Sequence, residues 1–91
     1  MTKKRDRLEI IYDFLSIIKK HDNSIKPTPL LRFSNLSSQR FAEYLKEMGE
    51  KDFIKVLENK KGRKMITLTD KGFRFLEKYG TIRGFIEDFG L

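Results

Sequence analysis

KVLENKKGRKMITLTDKGFRFL, Lys55–Leu76, alternates apolar and polar residues on both sides of a short polar break at Asn59 to Gly62. Two matching alternations around such a break predict a half-buried antiparallel hairpin. Ile54 and Val56 should share one face with Ile66 and Leu68. The tip of this hairpin carries Lys60, Lys61, Arg63 and Lys64, and Glu58 is the only acid near them. Thr69 is placed to cap a helix that starts directly after the second strand.

Upstream of the hairpin, LSSQRFAEYLKEM supplies an amphipathic helix. Ser37 is its N-cap, and Phe41, Tyr44, Leu45 and Met48 recur at i, i+3, i+4 and i+7. Gln39, Glu43 and Lys46 fall on the opposite side, flanked by Arg40 and Glu47, and the helix should end between Gly49 and Asp52. Before it, Thr28 can cap a short helix with Pro29 at its first position, burying Leu30, Leu31 and Phe33 and stopping near Ser34-Asn35. HDNSIKP reads as loop. Residues 4–20 form the first helix, in which Leu8, Ile11, Leu15 and Ile18 make one stripe and Ile10, Phe14 and Ile17 a second. Gly80-Thr81 should break the helix that follows the hairpin, leaving a fifth short helix with Ile82, Phe85, Ile86 and Phe89 on one side. The order is helix, helix–turn–helix, hairpin, helix.

Composition narrows the function. With 91 residues the chain is one small domain with a modest core, and its apolar content, eight Phe included, is enough to fold it. There is no Cys, so disulfides and thiolate metal sites are excluded, and His21 stands alone as a solvated helix-end residue. No nucleophile–base set and no phosphate-cradling Gly motif is present, so an enzyme is not expected. Neither a metal nor another cofactor is expected, and no small-molecule pocket is legible. No apolar run approaches the ~18 residues of a membrane span, and no signal-peptide core follows the charged N-terminus. The expected location is the cytoplasm. A Lys-rich chain with one Gln and no Cys also fits a thermophile.

The net charge of +7 is unevenly placed: +3 in residues 1–26, zero in 27–52, +5 in 53–78 and −1 in 79–91. The excess therefore sits on the hairpin and the N-terminal arm, which is where a polyanion would be met.

Two stretches carry a family resemblance. NLSSQRFAEYLKEMGEKDFI has a small polar cap after Leu36, a Tyr-Leu pair in mid-helix and an apolar lead into a strand; KMITLTDKGFRFLE has an LT-x-KG strand-to-helix junction. Together, over roughly residues 5–79, they resemble the winged helix-turn-helix proteins, most closely the small, often homodimeric archaeal DNA-binding members. The fold class implied is α+β: a three-helix core, a two-stranded hairpin wing and an additional C-terminal helix. Residues 1–79 would be the domain and 80–91 a short helical segment, a candidate for dimerisation. The resemblance implies binding of double-stranded DNA by a transcriptional regulator or architectural protein, with the third helix in the major groove and the wing on the backbone. One departure is Asp52, where such proteins often have Gly; Gly49 is the expected substitute in that turn.

The residues give the same direction independently. Gln39 can pair bidentately with adenine and Arg40 with guanine, Ser37 and Ser38 can hold phosphate, and Glu43 can accept from cytosine or repel the backbone. Lys46 lies on the same face. Lys60, Lys61, Arg63 and Lys64 should grip phosphates, although Lys on an exposed strand edge also discourages aggregation. Lys3, Lys4, Arg5 and Arg7 either reach DNA or fray in solvent. Phe41, Tyr44, Phe53, Phe73 and Phe75 lie on apolar periodicities and should be core, which argues against a single-strand binder. The apolar surface of the first helix, of Phe75 and Tyr79 and of the C-terminal segment exceeds what one small core covers, so a homodimer is expected, with fold-back of the C-terminal segment as its rival. A protein-interaction module that never touches DNA and a structured-RNA binder remain open.

Overall fold

Asp6 opens the first helix, α1 (Arg7–Lys20): its carboxylate accepts from the Glu9 N–H at 2.8 Å and satisfies a donor the first turn leaves orphaned. The computed structural model describes residues 5–91, so the expected contribution of Lys3 and Lys4 lies outside the described residues. Ile10, Ile11, Phe14, Leu15 and Ile18 of α1 are buried, so both expected stripes feed one core. Leu8, expected in the same stripe, is exposed near the helix start. His21 is the exposed C-cap, its ring 5.2 Å from that of Phe33.

The segment read as loop holds one rung of sheet. The Ile25 N–H donates to the Ile66 carbonyl at 3.1 Å and Ile66 returns the bond at 2.8 Å, with Ile25 itself buried. Helix α2 (Pro27–Ser34) starts earlier than expected, with Lys26 as N-cap and Pro27, not Pro29, in its first position. Pro27 fixes a helix-compatible φ and holds Lys26 extended, so no side-chain cap is needed. Leu30 is buried and Leu31 half-buried, but Phe33 faces solvent at the helix end. Asn35 closes α2 in the left-handed conformation, φ 59°.

Helix α3 (Ser38–Glu50) buries Phe41, Tyr44 and Met48 as its stripe requires. The turn after it passes through Asp52 at φ 66°, not through Gly49, which lies inside the helix in open space. Asp tolerates the left-handed region better than most side chains, and this is how the departure from Gly is accommodated. Strands β1 (Ile54–Glu58) and β2 (Lys64–Leu68) pair antiparallel, Ile54 opposite Leu68 and Val56 opposite Ile66. Ile54, Ile66 and Leu68 are buried, while Val56 is exposed although it faces the buried Ile66 across the hairpin: at that rung β2 is flanked by Ile25 and β1 is the outer strand.

Helix α4 (Asp70–Asp88) runs unbroken through Gly80-Thr81, so the described residues form four helices and not five. A Gly inside a helix costs only about 1 kcal/mol relative to Ala. Packing offsets it: Phe53, Phe75, Tyr79 and Tyr12 form a ladder of rings 5.3 to 5.7 Å apart that fastens α4 to the β1 approach and to α1. Phe75 and Tyr79, expected to be surplus, are consumed in this ladder, whereas Phe73, expected in the core, stays 37% exposed.

Candidate nucleic-acid interface

The α3 start is a capped helix end. The Ser37 Oγ accepts from the Arg40 N–H at 3.2 Å, which leaves its own O–H free to donate. Ser37, Ser38, Gln39, Arg40, Glu43 and Lys46 are all exposed. Burial of Phe41, Tyr44 and Met48 turns Gln39, Glu43 and Lys46 to the outer face. Arg40 sits to one side: its guanidinium lies 5.9 Å from the Tyr44 ring centre, beside an open groove of about 290 Å³ lined by Arg7, Arg40, Glu43, Tyr44 and Glu47.

The wing tip is organised by Asn59. Its Oδ1 accepts from the N–H groups of Lys61 at 2.9 Å and Arg63 at 3.0 Å, and Gly62 takes φ 76° to close the turn. The loop is thereby pre-shaped, and Lys60, Lys61, Arg63 and Lys64 all face solvent. Among the described residues no ion pair engages any of these four cations.

The arm behaves otherwise. Arg5 donates to Asp13 at 3.0 Å and to the Ser34 carbonyl at 3.1 Å, tying the arm to α1 and the end of α2. Arg7 pairs with Glu47 of α3, and Lys51 donates to the same Glu47 carboxylate at 2.7 Å. The two described arm cations expected either to reach DNA or to fray are therefore engaged within the chain. Both cations hold the Glu47 carboxyl well below the usual carboxylate range, at about 2, against a small opposing effect of burial. In the sequence, Glu47 stands out only as a residue flanking the outer face of α3. Its i,i+4 spacing to Lys51 was readable, whereas Arg7 reaches it across forty positions of chain and leaves no local signal.

A larger open groove, about 540 Å³, lies along α1 between Arg5 and Arg83 and includes none of the expected contact residues on α3 or the wing. Among the described residues no group of three or more His, Cys, Asp or Glu is placed to hold a metal ion, and no helix is long and apolar enough to cross a membrane.

Three helices, a capped third helix with an exposed outer face, and a hairpin bearing an ordered cationic tip define a winged helix. The chain belongs to the winged helix-turn-helix family, whose model matches residues 4–87. No curated protein sequence matches it. Among solved structures it is similar to MepR, a transcription regulator of the Staphylococcus aureus multidrug efflux pump MepA, with TM-score 0.77 and 18% identity over 87% of this chain. It spans 59% of MepR, so it matches little more than half of that protein. Two smaller proteins are matched over most of their length. Sso10a-2, a DNA-binding protein from Sulfolobus solfataricus, has TM-score 0.70 and 18% identity over 92% of this chain and 87% of its own. F93 from STIV, a winged-helix DNA-binding protein, has TM-score 0.73 and 16% identity over 87% and 90%.

Proposed function

We propose that this protein binds double-stranded DNA as a transcriptional regulator or architectural protein, with α3 in the major groove and the wing on the phosphate backbone. The observation that carries the reading is the wing: four solvent-facing cations on a turn pre-shaped by Asn59, with Glu58 as the only adjacent acid. Crowding like charges destabilises the free hairpin, and duplex phosphates relieve that repulsion. In this reading Gln39 and Arg40 read base edges, with Glu43 and Lys46 beside them, and Ser37, Ser38, Lys60, Lys61, Arg63 and Lys64 hold phosphate. The chain acts without enzymatic chemistry and works in the cytoplasm, where such DNA is accessible.

The protein is a homodimer in this proposal, joined through residues 80–91. The apolar surface of α1 is mostly spent within the subunit, whereas Ile82, Phe85 and Ile86 of α4 and its C-cap Phe89 stay exposed together. Fold-back of that segment is disfavoured by its continuity with α4.

Selection of bound duplexes from a random pool tests binding, preference and half-site spacing together. Enrichment of a motif, or tight salt-dependent binding without one, supports a regulator or an architectural protein respectively. Failure to retain any duplex at physiological salt, with retention of structured RNA or of an acidic protein instead, would replace the reading.

A further inference from the structure

The wing and α3 differ in how their charges are treated. The wing cations are unpaired among the described residues, while the edge of α3 is balanced, with Arg7 and Arg40 set against Glu43 and Glu47 around one groove. One carboxylate does most of this. Glu47 takes Arg7 from α1 and Lys51 from the helix's own C-cap. Both cations are about half-exposed, so they stand within reach of an incoming polyanion, yet each already has an anion in contact.

We propose that Glu47 is an electrostatic brake on the DNA-binding surface: by holding Arg7 and Lys51 beside the reading helix, it withholds two cations from duplex phosphate and confines sequence-independent attraction to the wing. This rests on the duplex-binding reading above. The physics is one of competition. A phosphate that approaches Arg7 or Lys51 must share the cation with a carboxylate already in contact, and it must then lie near that carboxylate's charge. The net gain is therefore small while Glu47 is ionised, and it becomes a full phosphate contact when Glu47 is neutral. The depressed pKa of Glu47 keeps it ionised throughout the physiological range. A helix edge with no net pull on the backbone limits binding to duplex of any sequence, because uniform attraction strengthens wrong sites as much as right ones.

The sign separates this role from a merely structural one. Glu47→Gln keeps the size and one acceptor oxygen and removes the charge. It should tighten binding to random duplex and steepen the slope of log affinity against log salt by about 0.9 per newly neutralised phosphate, to about 1.8 if both cations engage. Because the added contacts are to the backbone, random and selected duplex should tighten by about the same factor, and the preference between them should hold. Glu77→Gln on α4 is the control for formal charge alone and should leave the slope near that of the parent. Adding Arg7→Ala and Lys51→Ala to Glu47→Gln should return the slope to the parent value. A thermal melt of each variant checks that the fold is retained. Should Glu47→Gln bind more weakly, or with an unchanged slope, the brake is refuted and Glu47 is only a tie between α1 and α3. A parent protein that binds no duplex at all would instead remove the reading beneath it.

Discussion

Gly72 shows how one residue carries long-range geometry. A Cβ there would sit 2.4 Å from the Phe53 carbonyl oxygen and 3.3 Å from a Leu68 methyl, so the α4 start and the β1 approach touch backbone to backbone. Its neighbours complete the joint. The Thr69 N–H donates to that Phe53 carbonyl at 3.0 Å, the Thr69 hydroxyl donates to the Asp52 carbonyl at 2.6 Å, and Lys71 Nζ donates to the Lys51 carbonyl at 2.8 Å. The LT-x-KG pattern is therefore a docking device: Thr caps and ties, Lys satisfies the end of α3, and Gly permits contact. Gly72→Ala must push two backbone segments apart and should destabilise the protein by about 1–3 kcal/mol, the usual range for overpacking a tight site. Urea unfolding measures it; a change within a few tenths would mean the segments separate freely. The pattern was visible in the sequence, but the reason for its Gly was not, because the atom that forbids a side chain belongs to another element.

Among elements, the proposed reading gives the wing and α3 separable contributions to binding. Replacing Lys60, Lys61 and Lys64 with Ala should weaken binding to every duplex and flatten the salt slope by about 0.9 for each phosphate that the wing no longer neutralises. Arg40→Ala should instead cost about 1–3 kcal/mol on the preferred site and relax one position. Titrations on preferred and random duplexes at several salt concentrations distinguish the two, and equal behaviour of both variants would contradict the division of labour. The α1–α3 tie has its own signature. The Glu47 carboxyl is held at about 2, below the ~4.3 of an unfolded Glu, so its stabilisation is complete above that unfolded value and is lost as pH falls through about 2. The melting temperature of the parent should thus fall more steeply than that of Glu47→Gln between about pH 4.5 and 2, by a modest amount because the pair is partly solvated. Parallel curves would show that the pairing adds nothing to stability.

Elements with strong local rules were legible: the capped α3 stripe, the hairpin register, and the Asn59–Gly62 turn. Errors arose where a distant partner decided. Ile25 lies in a polar stretch and pairs only because Ile66 has a free edge beside it. Phe33 sits on an apolar period but beyond the reach of the core. Gly80-Thr81 carries the local marks of a break, and α4 continues because Tyr79 is already stacked on Tyr12 and Phe75. Of the candidate site, the exposure of each contact residue followed from periodicity. The engagement of Arg5 and Arg7 did not, because ion pairs across the fold have no spacing to read.

At the scale of the whole molecule, a run of uncovered apolar side chains lies along the last turns of α4 and its C-cap. Ile82, Phe85, Ile86 and Phe89 form one stripe at i, i+3, i+4 and i+7, with the Phe85 and Phe89 rings 4.8 Å apart, and Phe89 is 68% exposed. A contiguous apolar stripe on so small a protein calls for a partner, and the second copy proposed above would meet it with a self-complementary face. Two reading helices would then address half-sites about one DNA turn apart, roughly 34–36 Å. The mass in solution should be twice 10.8 kDa. Phe85→Lys with Phe89→Lys should yield a monomer with parent-like circular dichroism, because neither ring belongs to the buried core. The consequence for DNA follows from valency. In the dimer, docking of one half-site raises the effective concentration of the second reading helix at the other, a gain of about 10²–10⁴ in avidity that a monomer forfeits. The lysine variant adds positive charge, which by itself would strengthen binding. A drop in affinity for a two-half-site duplex, with little change on a single half-site, can therefore come only from lost pairing. Retained affinity together with a concentration-independent mass of 10.8 kDa in the parent would assign the stripe to some other partner.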